Sequence, residues 1–91
     1  MGSDPFERWL NETVVLDTGT PILYIGKLLE VSDSVFILQD ADMHDCRDGH
    51  AHREKYIAEA HAEGTQVNRR TVMVMRSAVI SVSRLSDVVS E

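Results

Sequence analysis

The chain has 91 residues, 43 % hydrophobic and 26 % charged, with a net charge of −6, which fits one small globular domain and excludes a disordered tail or a fibrous repeat. No apolar run approaches the ~20 residues a bilayer span requires, and no basic start precedes an apolar block, so a soluble, cytoplasmic protein is expected. The acidic balance disfavours generic polyanion binding, which depends on Lys and Arg displacing phosphate counterions, and the single cysteine, Cys46, excludes an intrachain disulfide and fits a reducing compartment. A chain this short buries only roughly 60 to 65 % of the surface its unfolded form exposes, so help from self-association is expected.

The first ten residues, MGSDPFERWL, carry a helix-start signature. Ser3 or Asp4 can cap, Pro5 suits the first helical position and Glu7 favours the first turn, which predicts a short helix over about 3–11. Phe6, Trp9 and Leu10 fall at helical spacings and predict a hydrophobic lid on the sheet. Residues 13–17 read as a first strand, with Val14 and Leu16 on one face and Val15 on the other. The turn 18–21 leads into a second strand over 22–31, with Ile22, Tyr24, Gly26 and Leu28 on one side and Leu23, Ile25, Leu29 and Val31 on the other. A long strand that is apolar on both sides and has a glycine at its middle predicts a sharp bend at Gly26. Ser32, Asp33 and Ser34 make the next turn, before a third strand over 35–40.

From residue 43 the character changes. Met43 to His52 gathers three histidines, Cys46 and two acids, but no CxxC or HxxxH spacing is present, so the stretch reads as a polar loop and no metal is expected. Nothing marks a base or an oxyanion site beside Cys46. Asp40 and Asp42 read as solvated turn residues, and no GxGxxG, Walker or GxSxG motif occurs, so neither enzyme activity nor a cofactor is expected. REKYIAEAHAEG predicts a helix over 53–63 stopped by Gly64, with a narrow Tyr56, Ile57, Ala60 stripe packed along one edge of the sheet.

A fourth strand follows over 71–76, with Val72 and Val74 opposite Met73 and Met75, whose side chains are read as strand-interior packing. After the tight connection at Ser77 and Ala78, a fifth strand over 79–83 alternates Ile80 and Val82 against serines. The tail adds Leu85, Val88 and Val89, enough for one docked turn. Charge is unevenly spread: residues 65–86 hold Arg69, Arg70, Arg76 and Arg84 and no acid, and this +4 segment within a −6 chain leaves −10 on the remainder. The fourth strand has no proline, glycine or internal charge to blunt it as a sheet edge, which predicts strand addition between subunits.

Helix, three strands, a helical insertion over about 43–69, then two strands joined by a very short turn: this order resembles the Sm and LSm family, which includes the bacterial Hfq proteins. Val15-x-Asp17-x-Gly19, then Gly26-x-Leu28 followed by Asp33, Val35 and Ile37, echo the family's first motif, and Met75-Arg76-Ser77-x-x-Ile80 echoes its second. The resemblance implies a small, strongly bent five-stranded antiparallel barrel of the SH3 type. It implies a non-enzymatic module forming a homo-oligomeric ring, with the fourth strand of one subunit pairing the fifth of the next through Val72, Val74, Ile80 and Val82. It implies single-stranded RNA as a partner at the positions of Asp33, Phe36, Arg76 and Ser77. Of these, Asp33 and Arg76 keep the family's chemistry. The place of the base-reading asparagine holds Val35 or Phe36, and the second-motif glycine is Ser77, so a protein-interaction scaffold that has lost RNA binding is the alternative. Arg69 and Arg70, repeated around a ring, would add positive potential to a pore or face; the plainer expectation pairs them with the acidic helix.

Overall fold

The structure, a computed structural model, describes residues 4–48 and 53–89. Its strands β1 (Thr13–Asp17), β2 (Ile22–Val31), β3 (Val35–Asp45), β4 (Arg69–Met75) and β5 (Ser81–Arg84) form one antiparallel five-stranded sheet in the order β4-β3-β2-β1-β5. The expected barrel is corrected here: β4 and β5 are the two end strands and do not pair with each other, so the sheet stays open. A single helix, α1 (Arg53–Glu63), lies between β3 and β4 in the chain. The N-terminal helix is a 3-10 turn, Pro5–Trp9, capped by the Asp4 side chain, which accepts from the Phe6 amide at 3.0 Å.

The bend arises where a single residue of β2 faces two of β3. Ile25 pairs with Asp42 and Lys27 with Gln39, which leaves Gly26 opposite both Asp40 and Ala41. Asp40 takes up the extra length in a left-handed conformation, φ 52, which Asp adopts more readily than most non-glycine residues. Gly26 is needed for its size. A Cβ there would sit 2.8 Å from the Ala41 Cβ and 3.0 Å from the Ala41 Cα, too close to backbone for the neighbour to give way.

A second register shift, between Leu28 and Glu30, leaves Leu29 over and 43 % exposed. The extra residue brings Leu28 and Val31 to the same core, whereas simple alternation placed Val31 with Ile25 on the other side. β3 also runs further than its apolar pattern, because Met43, His44 and Asp45 pair with Tyr24, Leu23 and Ile22. These residues are strand, not loop, and Cys46–Asp48 follow as a 3-10 turn. His50 and His52 lie outside the described residues.

Both faces of the sheet are covered. Val14, Leu16, Leu28, Phe36, Leu38, Ala41 and Val74 form the main core, with Phe6 and Trp9 of the N-terminal turn packed against it as a lid. Leu10 stays 37 % exposed. On the opposite face Val15 and Ile25 are covered by Ala60, Tyr56 and Ile57 of α1 and by Leu85 of the C-terminal 3-10 turn Leu85–Asp87. The helix therefore lies over a face rather than along an edge, since Val15 and Ile25, each worth roughly 1.5 to 3 kcal/mol on burial, need a cover there. α1 ends at Gly64, where the φ of 92 and the amide bond to the Ala60 carbonyl at 2.8 Å make a left-handed cap.

Candidate nucleic-acid interface

The turn after β2 and the 3-10 turn Arg76–Ala78 after β4 meet at one end of the open sheet. Antiparallel pairing of Val35 with Met75 brings them together, and the Arg76 amide donates to the Ser34 carbonyl at 2.8 Å. The Arg76 guanidinium then donates to the Ser32 carbonyl at 2.7 Å and to both Asp4 oxygens, one through Nη1 and one from Nη2 at 3.3 Å. It lies 4.9 Å from the Phe6 ring centre and 5.4 Å from that of Phe36, within cation–π range. Asp33 and Ser77 are exposed at this end, while Phe36 is 1 % exposed and meets Phe6 edge-on with centroids 5.2 Å apart. Phe36 is thus a core residue here. At 1 % exposure its ring has no open face on which a base could stack.

The Asp4 carboxyl is held below the usual carboxylate range, chiefly by the hydrogen bond from Arg76 and then by that from the Phe6 amide. The sign follows. Stability from this contact is present above the ordinary value of 3.8 and is lost as the pH falls through the lowered one.

Arg69 and Arg70 sit at the opposite end of β4. At ~3.3 Å per residue they are roughly 20 Å from Arg76, so the arginines do not form one patch. The expected pairing with α1 is corrected: Arg69 donates to the Asn68 carbonyl at 3.0 Å. Among the described residues the ion pairs are Arg47–Asp45, Arg53–Asp17, Arg76–Asp4 and Arg84–Asp87, with neither Arg69 nor Arg70 among them. The acidic helix instead uses Arg53, whose Nη1 reaches Asp17 at 2.5 Å and whose Nη2 reaches the Thr20 carbonyl at 2.6 Å.

Between these ends runs the free edge of β4. Val74 is 4 % exposed in the core, and Val72 and Val82 pack against it, whereas Met73, Met75 and Ile80 are 61, 55 and 71 % exposed. The two methionines are therefore surface residues and not interior packing. They line a cleft of about 510 Å³ with Ile80, Tyr24, Ile22 and the Thr18–Thr20 turn, at the gap where the sheet fails to close.

One buried carboxylate ties α1 to this region. Asp42, 6 % exposed, accepts from the Tyr56 hydroxyl and from Asn68 Nδ2 at 2.7 Å, and Asn68 Oδ1 in turn accepts from the Met43 amide at 3.0 Å. The His44 ring stacks on Tyr56 at 3.8 Å with 7° between planes. Burial first, and then Asp42, push the Tyr56 hydroxyl up, so the contact stabilises the fold below the ordinary value of 10.0 and the stability is lost as pH rises past it. Asp42→Ala should cost roughly 1 to 3 kcal/mol in urea denaturation, because the Tyr56 hydroxyl and the Asn68 amide lose their acceptor. A loss below about 0.5 kcal/mol would mean that water replaces the carboxylate freely. The expectation of Asp42 as a solvated turn residue is corrected, since it is a buried strand residue, and Asp4, readable as a cap, carries a second contact to Arg76 that the sequence does not signal. Their partners are 14 and 72 residues away, and no local pattern signals either contact.

No group of three metal-ligating side chains occurs among the described residues, and no helix among them is long and apolar enough to cross a membrane. A strongly bent five-stranded antiparallel sheet in the order β4-β3-β2-β1-β5, with an N-terminal lid and a 3-10 turn joining its last two strands, defines the Sm-like class of folds. Among solved structures, that of the Pyrococcus abyssii Sm protein in complex with a uridine heptamer matches with a TM-score of 0.59 and 16 % identity, over 90 % of this chain and 99 % of that one. At that identity the likeness is one of fold. No family model matches the sequence, and no curated protein matches it.

Proposed function

We propose that this chain is a non-enzymatic Sm-like module that assembles into a homo-oligomeric ring and contacts single-stranded RNA. The observation that carries the reading is the pair of free edges. β4 and β5 end the sheet on its two sides, β4 is seven residues long with no proline or glycine, and Met73, Met75 and Ile80 stand exposed beside it. Such an edge is stable in water when another strand pairs with it, and a head-to-tail contact of this kind closes into a ring if the rotation allows. Contacts fall to the exposed side chains Met73, Met75 and Ile80 together with the β4 and β5 backbones, while Val72, Val74 and Val82 support them from within.

RNA contact would use Asp33, Arg76 and Ser77 at one end and Arg69 and Arg70 at the other, each repeated in every subunit. Repetition raises a weak single contact through effective concentration. Neutralisation of Arg76 by Asp4 favours the second reading, a scaffold for protein partners that has given up RNA. Light scattering coupled to size exclusion, with the ultraviolet absorbance ratio recorded across the peak, tests both. A multiple of 10.2 kDa is expected. A monomer at micromolar concentration removes the ring, and an oligomer that binds neither U-rich nor A-rich oligonucleotides at low salt leaves the scaffold.

A further inference from the structure

Arg76 is already configured for a phosphate. Its guanidinium is braced by the rings of Phe6 and Phe36, Nη1 is steadied on the Ser32 carbonyl, and the fork between Nη1 and Nη2 is filled by the two oxygens of one carboxylate. A bidentate anion on an arginine fork is also how phosphate is taken. The carboxylate belongs to Asp4, 72 residues away in the chain, and both side chains keep some contact with water, 28 % for Arg76 and 16 % for Asp4.

Asp4 is also the residue best placed to leave. It precedes the 3-10 turn Pro5–Trp9, none of whose residues is buried, and its further hold on that turn is a pair of backbone bonds, from the Phe6 amide to its side chain at 3.0 Å and from the Glu7 amide to its carbonyl at 2.9 Å. Phe6 and Trp9 anchor the turn behind it on the main core. The Asn11 amide bond to the Leu28 carbonyl, 2.7 Å, and the Leu28 amide bond to the Glu12 carbonyl, 2.9 Å, hold the chain beyond. Release of the carboxylate would give up its bond from the Phe6 amide, while the packing of Phe6 and Trp9 on the core does not depend on it.

We propose that Asp4 is a carboxylate gate on a phosphodiester site: it occupies the Arg76 fork in the free protein, and a backbone phosphate of single-stranded RNA displaces it. The proposal rests on the RNA reading above and adds how that site is regulated. A tethered carboxylate competes at an effective concentration on the order of millimolar, so one isolated phosphate loses to it. A strand long enough to meet several copies of Arg76 together can win. The gate therefore makes binding selective for polymer over free nucleotide, and its cost is paid once per subunit engaged.

The test compares the full chain with Asp4→Asn, and with Asp4→Ser, which keeps a capping oxygen should the amide disturb the turn. Binding of fluorescent oligouridine and oligoadenosine is followed by anisotropy across a salt series. Opening the gate should tighten binding about tenfold, and should steepen the salt dependence by about 0.7 log units per arginine newly engaged on one strand. Arg76→Ala in the Asp4→Asn background should remove both gains. A purely structural role for Asp4 would weaken binding or leave it alone and would not steepen the salt slope. If wild type and both Asp4 variants bind equally with equal slopes, the gate is overturned and RNA binding stands. If none of them binds either oligonucleotide at low salt, the RNA reading fails and takes the gate with it.

Discussion

Gly26→Val is expected to destabilise the domain by about 3 kcal/mol or more, enough to bring a protein of this size close to unfolding at room temperature. The reason is spatial. The nearest neighbours of an added Cβ are the Ala41 Cβ at 2.8 Å, the Ala41 Cα at 3.0 Å and the Leu38 Cβ at 3.3 Å, and all three belong to β3 where it crosses the bend. A flexible side-chain tip could step aside; a strand backbone held by its ladder cannot. Gly26→Ala should show a smaller loss of the same sign, roughly 1 to 3 kcal/mol. Urea titration followed by circular dichroism reads both, and a wild-type midpoint for Gly26→Val would show that the bend does not depend on the missing side chain.

Under the proposed assembly through β4, replacing Met73 and Met75 together by lysine should leave a monomer at micromolar concentration and the far-ultraviolet spectrum unchanged. Both side chains are more than half exposed, so the core loses nothing and the fold should hold to within about 0.5 kcal/mol. What changes is the edge. Lysines along an edge strand oppose the approach of a second strand, because pairing would bury part of their charge, and a ring repeats that penalty at every interface. Sedimentation velocity of wild type and variant side by side decides the matter. An unchanged oligomer would place the subunit contact somewhere other than β4.

Legibility in the sequence followed the range of the interaction that fixes each element. β1, β2 and α1 lie at the residues their patterns predict, since alternation over 13–17 and 22–31 and the stop at Gly64 are local signals. The bend at Gly26 was readable because both faces of β2 are apolar and something must turn the sheet onto itself. The far end of β3 was not. Met43, His44 and Asp45 look like loop residues, and they are strand because β2 offers Tyr24, Leu23 and Ile22 as partners across the ladder. The bulge at Asp40 and the offset at Leu29 are equally silent in the sequence, so simple alternation puts Val31 on the wrong face. At the candidate site, the arginines were visible as charge, but their partners were not. Whether an arginine is free or neutralised depends on a contact such as Asp4 with Arg76, and composition says nothing about which acid arrives.

The two register shifts between β2 and β3 have opposite senses. First β3 carries an extra residue, at Asp40 and Ala41 against Gly26; then β2 carries one, at Leu29. They cancel, so pairing beyond the second shift returns to the offset it had before the first, and the crease is confined to a few residues. On one side of it lie β1, β5 and the first half of β2, with α1 above them; on the other lie the second half of β2, the start of β3 and β4. Each half keeps its own phase. The two halves still share one core, because Val14 and Leu16 of β1 pack with Leu28, Phe36, Leu38 and Val74 across the crease, so substitutions at these positions on opposite sides should combine non-additively.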